Sequence, residues 1–318
     1  MTQHVQSKPI PDELAGLRLD QALARMFPEY SRSRLKEWLL AGAITVNGAG
    51  MRPRDAVAGG ERVDMRVPAE SLVRDQPEPI ALDIVFEDDD LLVINKPAGL
   101  VVHPGAGNPA GTLMNGLLHH ASSLEEVPRA GIIHRIDKET SGLLLVAKTL
   151  QAHTALVRML ADRDISRRYL AVCKGVLTGG GTINEPLARH PVDRKRMSVQ
   201  PRGKAAITHY TVIERFRAFT YVDVRLDTGR THQIRVHFAH RRHALVGDPV
   251  YGGRLALPAG ASDALIDVLR RFKRQALHAT HLSFEHPIRH ENVEFEVPPP
   301  ADFQELIEVL RDDARANS

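Results

Sequence analysis

Apolar positions along the chain follow two periods, and the points where one gives way to the other predict its elements. Leu19, Leu23 and Met26, with Ala22 beside them, recur at helical spacing. Phe27-Pro28-Glu29-Tyr30 interrupts that helix. Ser31 is placed to cap a second one, whose Leu35, Trp38 and Leu39 make an i, i+3, i+4 stripe. Gly42 stops it. Ala43-Ile44-Thr45-Val46 then reads as a strand turning at Asn47-Gly48, and Arg62–Val67 alternates as its partner. Strands follow at 82–86, 91–95, 165–176, 206–214 and 220–226, with helices at 112–120 and 150–162. His232, Ile234, Val236 and Phe238 alternate as in a strand, which would set His237 opposite His232. Asp302 with Glu305 has the form of a capping box ahead of Leu306, Ile307 and Leu310.

These elements divide the chain. Residues 1–16 are polar and irregular and read as a flexible arm; 17–68 form a small module; 69–80, with two prolines, read as a linker; 81–318 form the larger domain. The expected class is α+β. A small α/β module precedes a domain built on a mixed, mainly antiparallel sheet flanked by helices and loops.

Composition narrows the chemistry. The 318 residues hold 42 Lys+Arg against 39 Asp+Glu, a net charge of only +3, and the basic residues are clustered, which bears on partners more than the total does. Cys173 is the only cysteine, so neither an intramolecular disulfide nor a thiolate metal cluster is available. The first residues lack the apolar core of a secretory leader, and no apolar run approaches the ~20 residues of a spanning helix. A cytoplasmic protein, without a membrane partner, is expected.

The densest polar segment is Gly131-Ile-Ile-His134-Arg135-Ile136-Asp137-Lys138-Glu139-Thr140-Ser141-Gly142, closed by the apolar Leu143–Ala147. A carboxylate set among cations favours its charged form, and buried flanks would aim it. Asp137 is therefore either a functional carboxylate or one half of a structural salt bridge. Thr140-Ser141-Gly142 reads as part of the turn. Arg18, Arg25, Arg32, Arg34 and Lys36 gather around the start of the second helix, where backbone donors and the helix dipole favour a phosphate; a solvated basic face is the alternative.

Other chemistries lack their parts. Gly105, Gly107 and Gly111 make neither a Walker loop nor a dinucleotide fingerprint, so no nucleotide cofactor is expected. His232, His237, His240 and His243 are close together but lack a closely spaced acid or thiolate ligand, so no metal is expected. Glu139, Asp164 and Asp227 do not stand out as the second acid of a glycoside hydrolase. Cys173 lies in an apolar strand, and Ser141 is not in a nucleophile elbow. One carboxylate, several arginines and a tyrosine remain, a set that suits isomerisation of a glycosidic bond on a phosphate-rich substrate.

Two resemblances sharpen this. Arg18-Leu19-Asp20, Tyr30-Ser-Arg32-Ser33-Arg34-Leu35 and Ile44-Thr-Val-Asn47-Gly48 resemble an S4 RNA-binding domain. His134-Arg-Ile-Asp137-Lys-Glu-Thr-Ser-Gly-Leu143, Arg168-Tyr169, Arg230-Thr-His-Gln-Ile234-Arg235-Val-His237 and Gly247-Asp-Pro-Val-Tyr-Gly252 resemble, in order, the motifs of RluA-type pseudouridine synthases. Ile136 stands where that pattern usually has Leu, a swap that preserves volume.

The combination is similar to the branch acting on large-subunit rRNA, its D-type members first and its C-type members as the alternative. The resemblance implies a monomeric isomerase without cofactor that converts uridines of 23S rRNA, in the helix 69 stem-loop, and supports assembly of the large ribosomal subunit. It implies Asp137 as catalytic carboxylate, Arg235 as its partner, Ile234 beside the base and Tyr169 stacked on the uracil and helping to remove the C5 proton. Arg135 would fill the gap left by a flipped nucleotide, and His134 would orient the turn. RNA contacts are expected at Arg18, Arg32, Ser33, Arg34, Lys36, Asn47, Arg194, Lys195 and Arg196. A non-catalytic S4-containing ribosome-assembly protein and an RNA N-glycosidase are the rival readings.

Overall fold

In a computed structural model, residues 4–27, 30, 32–67, 76–105 and 107–316 are described, without the side chains of His4, Val5, Ser33, Arg34 and Val67. The chain divides into two compact units, 1–74 and 75–318.

The first unit contains β1 (His4–Pro9), α1 (Leu19–Met26), α2 (Arg32–Leu40), β2 (Ile44–Val46) and β3 (Arg62–Val67). Its sheet is antiparallel in the order β1-β3-β2, and the expected Leu35, Trp38 and Leu39 stripe is buried against it. The arm expected at 1–16 is instead part of this unit. β1 pairs with β3 from Pro9↔Arg62 to His4↔Val67, and Ile10 and Leu14 lie in the core. As an edge strand with Ser7 and Lys8 exposed, β1 carries no apolar alternation for sequence reading to detect. Ser31, the expected cap of α2, lies outside the described residues, as do positions 69–75 of the expected linker.

The second unit begins with residues that the sequence assigned to that linker. Gln76 and Glu78 are pinned to a helix: Asn115 Nδ2 donates to Gln76 O at 2.8 Å, and Glu78 N–H donates to Asn115 O at 3.0 Å. β4 (Ile84–Glu87), β5 (Leu91–Lys96), α3 (Leu113–His120), β6 (Ser141–Ala147), α4 (Leu150–Asp162) and β7 (Ser166–Lys174) follow. Next come β8 (Gly181–Asn184), β9 (Leu187–Arg189), β10 (Met197–Val199), β11 (Ile207–Arg215), β12 (Phe219–Leu226) and α5 (Gln233–His240). α6 (Asp263–Arg271), β13 (Leu277–Glu285), β14 (Asn292–Glu296) and α7 (Ala301–Ala316) complete it.

Among the described residues, the main sheet has nine strands in the order β4-β5-β6-β13-β7-β12-β11-β8, with β14 also on β13. Every pairing is antiparallel except β6 with β13. β5 and β6 are covered on both faces. Leu92, Ile94, Leu144 and Val146 pack with Leu113 and Leu117 of α3; Leu91, Val93, Leu143 and Leu145 pack with Ala152 and Leu156 of α4. That double burial explains why both strands read as unbroken apolar runs.

Two local expectations change. Ser141 and Gly142 already belong to β6, so the turn itself is Asp137–Thr140, closed by Thr140 N–H donating to Asp137 O at 3.0 Å. The two acids expected to cap α7 lie inside it and bind arginines: Asp302 takes a bidentate bond from Arg274 at 2.7 Å, and Glu305 pairs with Arg271 at 2.8 Å. α7 follows Pro300, whose carbonyl accepts from Phe303 and Gln304.

Candidate active site

The turn that carries Asp137 is held from below. Lys96, the last residue of β5, is fully buried, and its Nζ donates to the carbonyl oxygens of Pro97 (2.6 Å), Leu100 (3.0 Å) and Lys138 (3.0 Å). Burial brings its pKa down to about 8, although Glu139 and Asp137 pull the other way. Gln275 Nε2 donates to Thr140 Oγ at 2.9 Å, and Ser141 Oγ pairs with His278 Nδ1 at 2.9 Å. His134 sits under the same turn. Its Nε2 accepts Leu145 N–H at 3.2 Å, and burial pushes its pKa down to about 3. That ring is a neutral part of the frame.

The partner of Asp137 comes from α5. Residues 233–240 form a helix where alternation suggested a strand. Gln233, Ile234, Arg235, Val236, His237 and Phe238 are all buried, so the helix has no wet face to show a 3.6-residue period, and its polar members bond inside. Gln233 receives Thr228 Oγ–H at 2.8 Å and Arg230 N–H at 3.0 Å, and donates to Ile207 O at 3.0 Å. His237 bonds Thr208 Oγ and Glu185 O, both at 2.9 Å. His237, one of the clustered histidines, is thus held by structural bonds.

Arg235, 5% exposed, donates Nη1 to Asp137 Oδ2 at 2.9 Å. Its Nε and Nη2 meet Asp248 at 2.7 and 2.9 Å. Burial alone would lower its pKa; the Asp248 and Asp137 carboxylates outweigh this and raise it. Burial would raise Asp248, but Arg235 and the N–H groups of Tyr251 and Val250 hold it below the usual carboxylate range.

Asp137, Arg135, Ile234, Arg235 and Tyr169 line one cleft of about 470 Å³. Tyr169 is buried on β7, and burial raises its hydroxyl pKa. Arg167, two residues earlier, faces the same cleft, whereas Arg168 points away and pairs with Asp223. Arg167 is 6% exposed, and its Nε has no hydrogen-bond partner among the described residues. The sequence reading noted it only as part of a basic strand; its i, i+2 spacing from Tyr169 was the available signal.

The expected RNA-contact residues are spread over both units. Arg18 and Arg32 both bond Asp20, at 2.9 and 2.7 Å, leaving their side chains nearly half exposed. Lys36 is exposed. Asn47 holds a left-handed turn, and its Oδ1 accepts Arg62 N–H at 2.8 Å. Ser33 and Arg34 side chains lie outside the described residues. In the second unit Arg194 and Lys195 are exposed at the tip of the β9–β10 hairpin, whereas Arg196 lies over the Tyr251 ring, 5.3 Å from its centroid.

Asp88, Asp90 and His286 bring three ligand-type atoms within 4.8 Å of one another. Asp88 is already paired with His286 and with Arg289, so a cation would meet a guanidinium there.

Residues 90–240 match the model of an RNA pseudouridylate synthase family, and residues 17–63 match the S4 domain. Over 315 residues the chain is 55% identical to a protein of Escherichia coli (strain K12) named ribosomal large subunit pseudouridine synthase D, covering 98% of this chain and 97% of that one. The chain belongs to the RluA-type pseudouridine synthase family.

It is an RNA pseudouridine synthase, an isomerase, with an S4 domain in front. A protein of the same name from Xylella fastidiosa (strain Temecula1 / ATCC 700964) is 56% identical over 305 residues, 96% of this chain and 92% of that one. Among solved structures, human RNA pseudouridylate synthase domain containing 1 is similar at TM-score 0.53 and 28% identity, over 70% of this chain and 86% of that one. The α+β class agrees with this placement. No helix among the described residues is long and apolar enough to cross a membrane.

Proposed function

We propose that this synthase converts uridines of 23S rRNA in the large ribosomal subunit or its assembly precursor to pseudouridine, in the helix 69 stem-loop, with Asp137 as its catalytic carboxylate. The observation that carries the reading is the asymmetry of Asp137. One oxygen is committed to a buried Arg235 that is itself locked to Asp248, while the side chain keeps 16% exposure in the cleft beside Tyr169 and Ile234. A carboxylate needed only as a salt bridge gains nothing from that opening.

The reaction breaks the C1′–N1 bond, turns the uracil, forms C1′–C5 and moves the C5 proton away while N1 gains one. It is redox-neutral, so no cofactor takes part. Asp137 either attacks C1′ or removes a ribose proton; Arg235 holds the carboxylate in place. Tyr169 packs on the base. With its pKa raised, it stays a neutral phenol and serves as a platform rather than as the base for the C5 proton. Arg135, exposed at the cleft, takes the place of the extruded nucleotide, and Arg167 offers an uncommitted buried cation to a backbone phosphate. His134 holds the turn. The S4 unit, through Arg18, Arg32, Ser33, Arg34, Lys36 and Asn47, grips structured RNA, and Arg194, Lys195 and Arg196 extend the contact. The protein acts in the cytoplasm, as a monomer, and its modification supports subunit assembly.

The test is tritium release from 5-tritiated 23S rRNA by Asp137→Asn, with RNA binding measured alongside. Loss of release with binding retained is expected; retained turnover would sink the assignment. Free uracil as product would indicate a glycosidase. Mapping pseudouridine in rRNA with and without the protein places the target, and modification outside helix 69 would favour a C-type specificity.

A further inference from the structure

His232 approaches Asp137 from the side opposite Arg235. Its Nε2 lies 3.8 Å from Asp137 Oδ1, the oxygen that Arg235 does not hold. Its other nitrogen, Nδ1, is 2.8 Å from Tyr251 Oη. Tyr251 Oη already accepts Met197 N–H at 2.9 Å. The phenol's own proton is then free to be donated to Nδ1. A neutral imidazole that accepts at Nδ1 carries its hydrogen at Nε2, toward Asp137.

The arrangement is fixed from several sides. Tyr251 N–H donates to the same Asp248 that clamps Arg235, so Arg235, Asp248, Tyr251 and His232 form a bonded series that leads from one oxygen of Asp137 back toward the other. Arg196 and Arg235 lie over the Tyr251 ring, 5.3 and 5.1 Å from its centroid. His232 holds φ +56° at the start of α5, a left-handed conformation that non-glycine residues rarely adopt. The charged groups facing the imidazole are Asp137, Arg235, Asp248 and Arg135; burial, the largest influence, keeps its pKa low and the ring neutral.

We propose that His232 is a positioning residue for Asp137: its Nε2–H, set in one tautomer by Tyr251, closes onto Oδ1 when RNA fills the cleft and presents that oxygen to the ribose in one direction. At 3.8 Å the contact is not yet a hydrogen bond, and closure of under about 1 Å completes it. No proton leaves His232. The inference rests on Asp137 as the catalytic carboxylate.

Single-turnover tritium release at saturating 5-tritiated 23S rRNA tests it in the full chain, with RNA affinity and thermal unfolding of each variant measured in parallel. His232→Gln places an amide N–H near the Nε2 position; His232→Asn falls short of Asp137. His232→Asn is expected to lower the rate constant ~100-fold with RNA affinity and unfolding unchanged, and His232→Gln to recover most of it. Tyr251→Phe removes the donor that fixes the tautomer, so its rate constant should fall toward that of His232→Asn with RNA affinity unchanged. Equal loss in the Gln and Asn variants, wild-type rates in both, a fall that tracks unfolding, or a wild-type rate in Tyr251→Phe would each overturn the proposal. Full turnover by Asp137→Asn would instead remove the reading on which it rests.

Discussion

Lys96 Nζ donates to the carbonyl oxygen of Lys138, 3.0 Å away, and so ties the end of β5 to the residue after Asp137. A fully buried ammonium with three carbonyl partners is a costly way to hold a loop, and its location under the carboxylate gives it a purpose. Lys96→Met keeps the length of the side chain and takes the ammonium donor from three carbonyls, of which Lys138 O keeps Gly99 N–H. We expect turnover to fall ~10- to 100-fold and stability to fall by roughly 2–4 kcal/mol, read by tritium release and chemical denaturation.

Asp248 is the second anion of the Arg235 clamp, with its side chain fully buried. Asp248→Asn removes the charge but not the shape, leaving Arg235 to Asp137 alone. Breaking such a buried pair costs about 3–5 kcal/mol. Asp137 should then be held less firmly, and single-turnover rates should fall more than RNA affinity does.

Gly142 has φ +112°, and a Cβ there would lie 2.2 Å from Ala279 O on β13. Gly142→Ala must push apart β6 and β13 directly after the turn that carries Asp137. Destabilisation of ~3 kcal/mol or more is expected, with a matching drop in soluble folded protein; a variant with an unchanged unfolding midpoint would contradict the packing described.

His278 is fully buried; burial brings its pKa down to about 4 from an ordinary 6.5, and its Nδ1 meets Ser141 Oγ while Nε2 meets Val297 O. The folded value lies below the unfolded one, so the unfolded chain takes up the proton first. Stability is therefore complete above pH about 6.5 and is lost as pH falls toward about 4. At pH 5 this histidine alone should remove ~2 kcal/mol, and His278→Gln should flatten that part of the stability–pH curve.

RNA affinity should fall steeply with salt, because exposed cations at Arg18, Arg32, Lys36, Arg194 and Lys195 would release counterions from phosphates. Filter binding across salt concentrations measures the slope. Replacing Arg194 and Lys195 together by Ala should reduce it by about two.

The sequence was most legible where chemistry and pattern coincided. Asp137, Tyr169 and Arg235 lie far apart in the chain, and the motifs that named them lead to residues lining one cleft. The doubly buried β5 and β6 were visible as apolar runs, and α4 fell at its observed bounds. α5 was misread because a helix buried all round loses its period, and its alternating residues imitate a strand. β1 was missed because an edge strand in a small unit has little apolar surface to reveal it. His232 and Lys96 were not legible as parts of the site. Their roles depend on neighbours, Tyr251 and the carbonyls of Pro97, Leu100 and Lys138, which no local pattern specifies.

β13, from the last quarter of the chain, lies between β6 and β7, which are consecutive strands in sequence. Its parallel contact with β6 joins His278 to Ser141 and Ala279 to Gly142, just past the turn that carries Asp137. During synthesis, the gap in the sheet stays open until Leu277–Glu285 have left the ribosome. The carboxylate is thus made early but positioned late, because the strand that closes the sheet beside its turn is among the last to be synthesised.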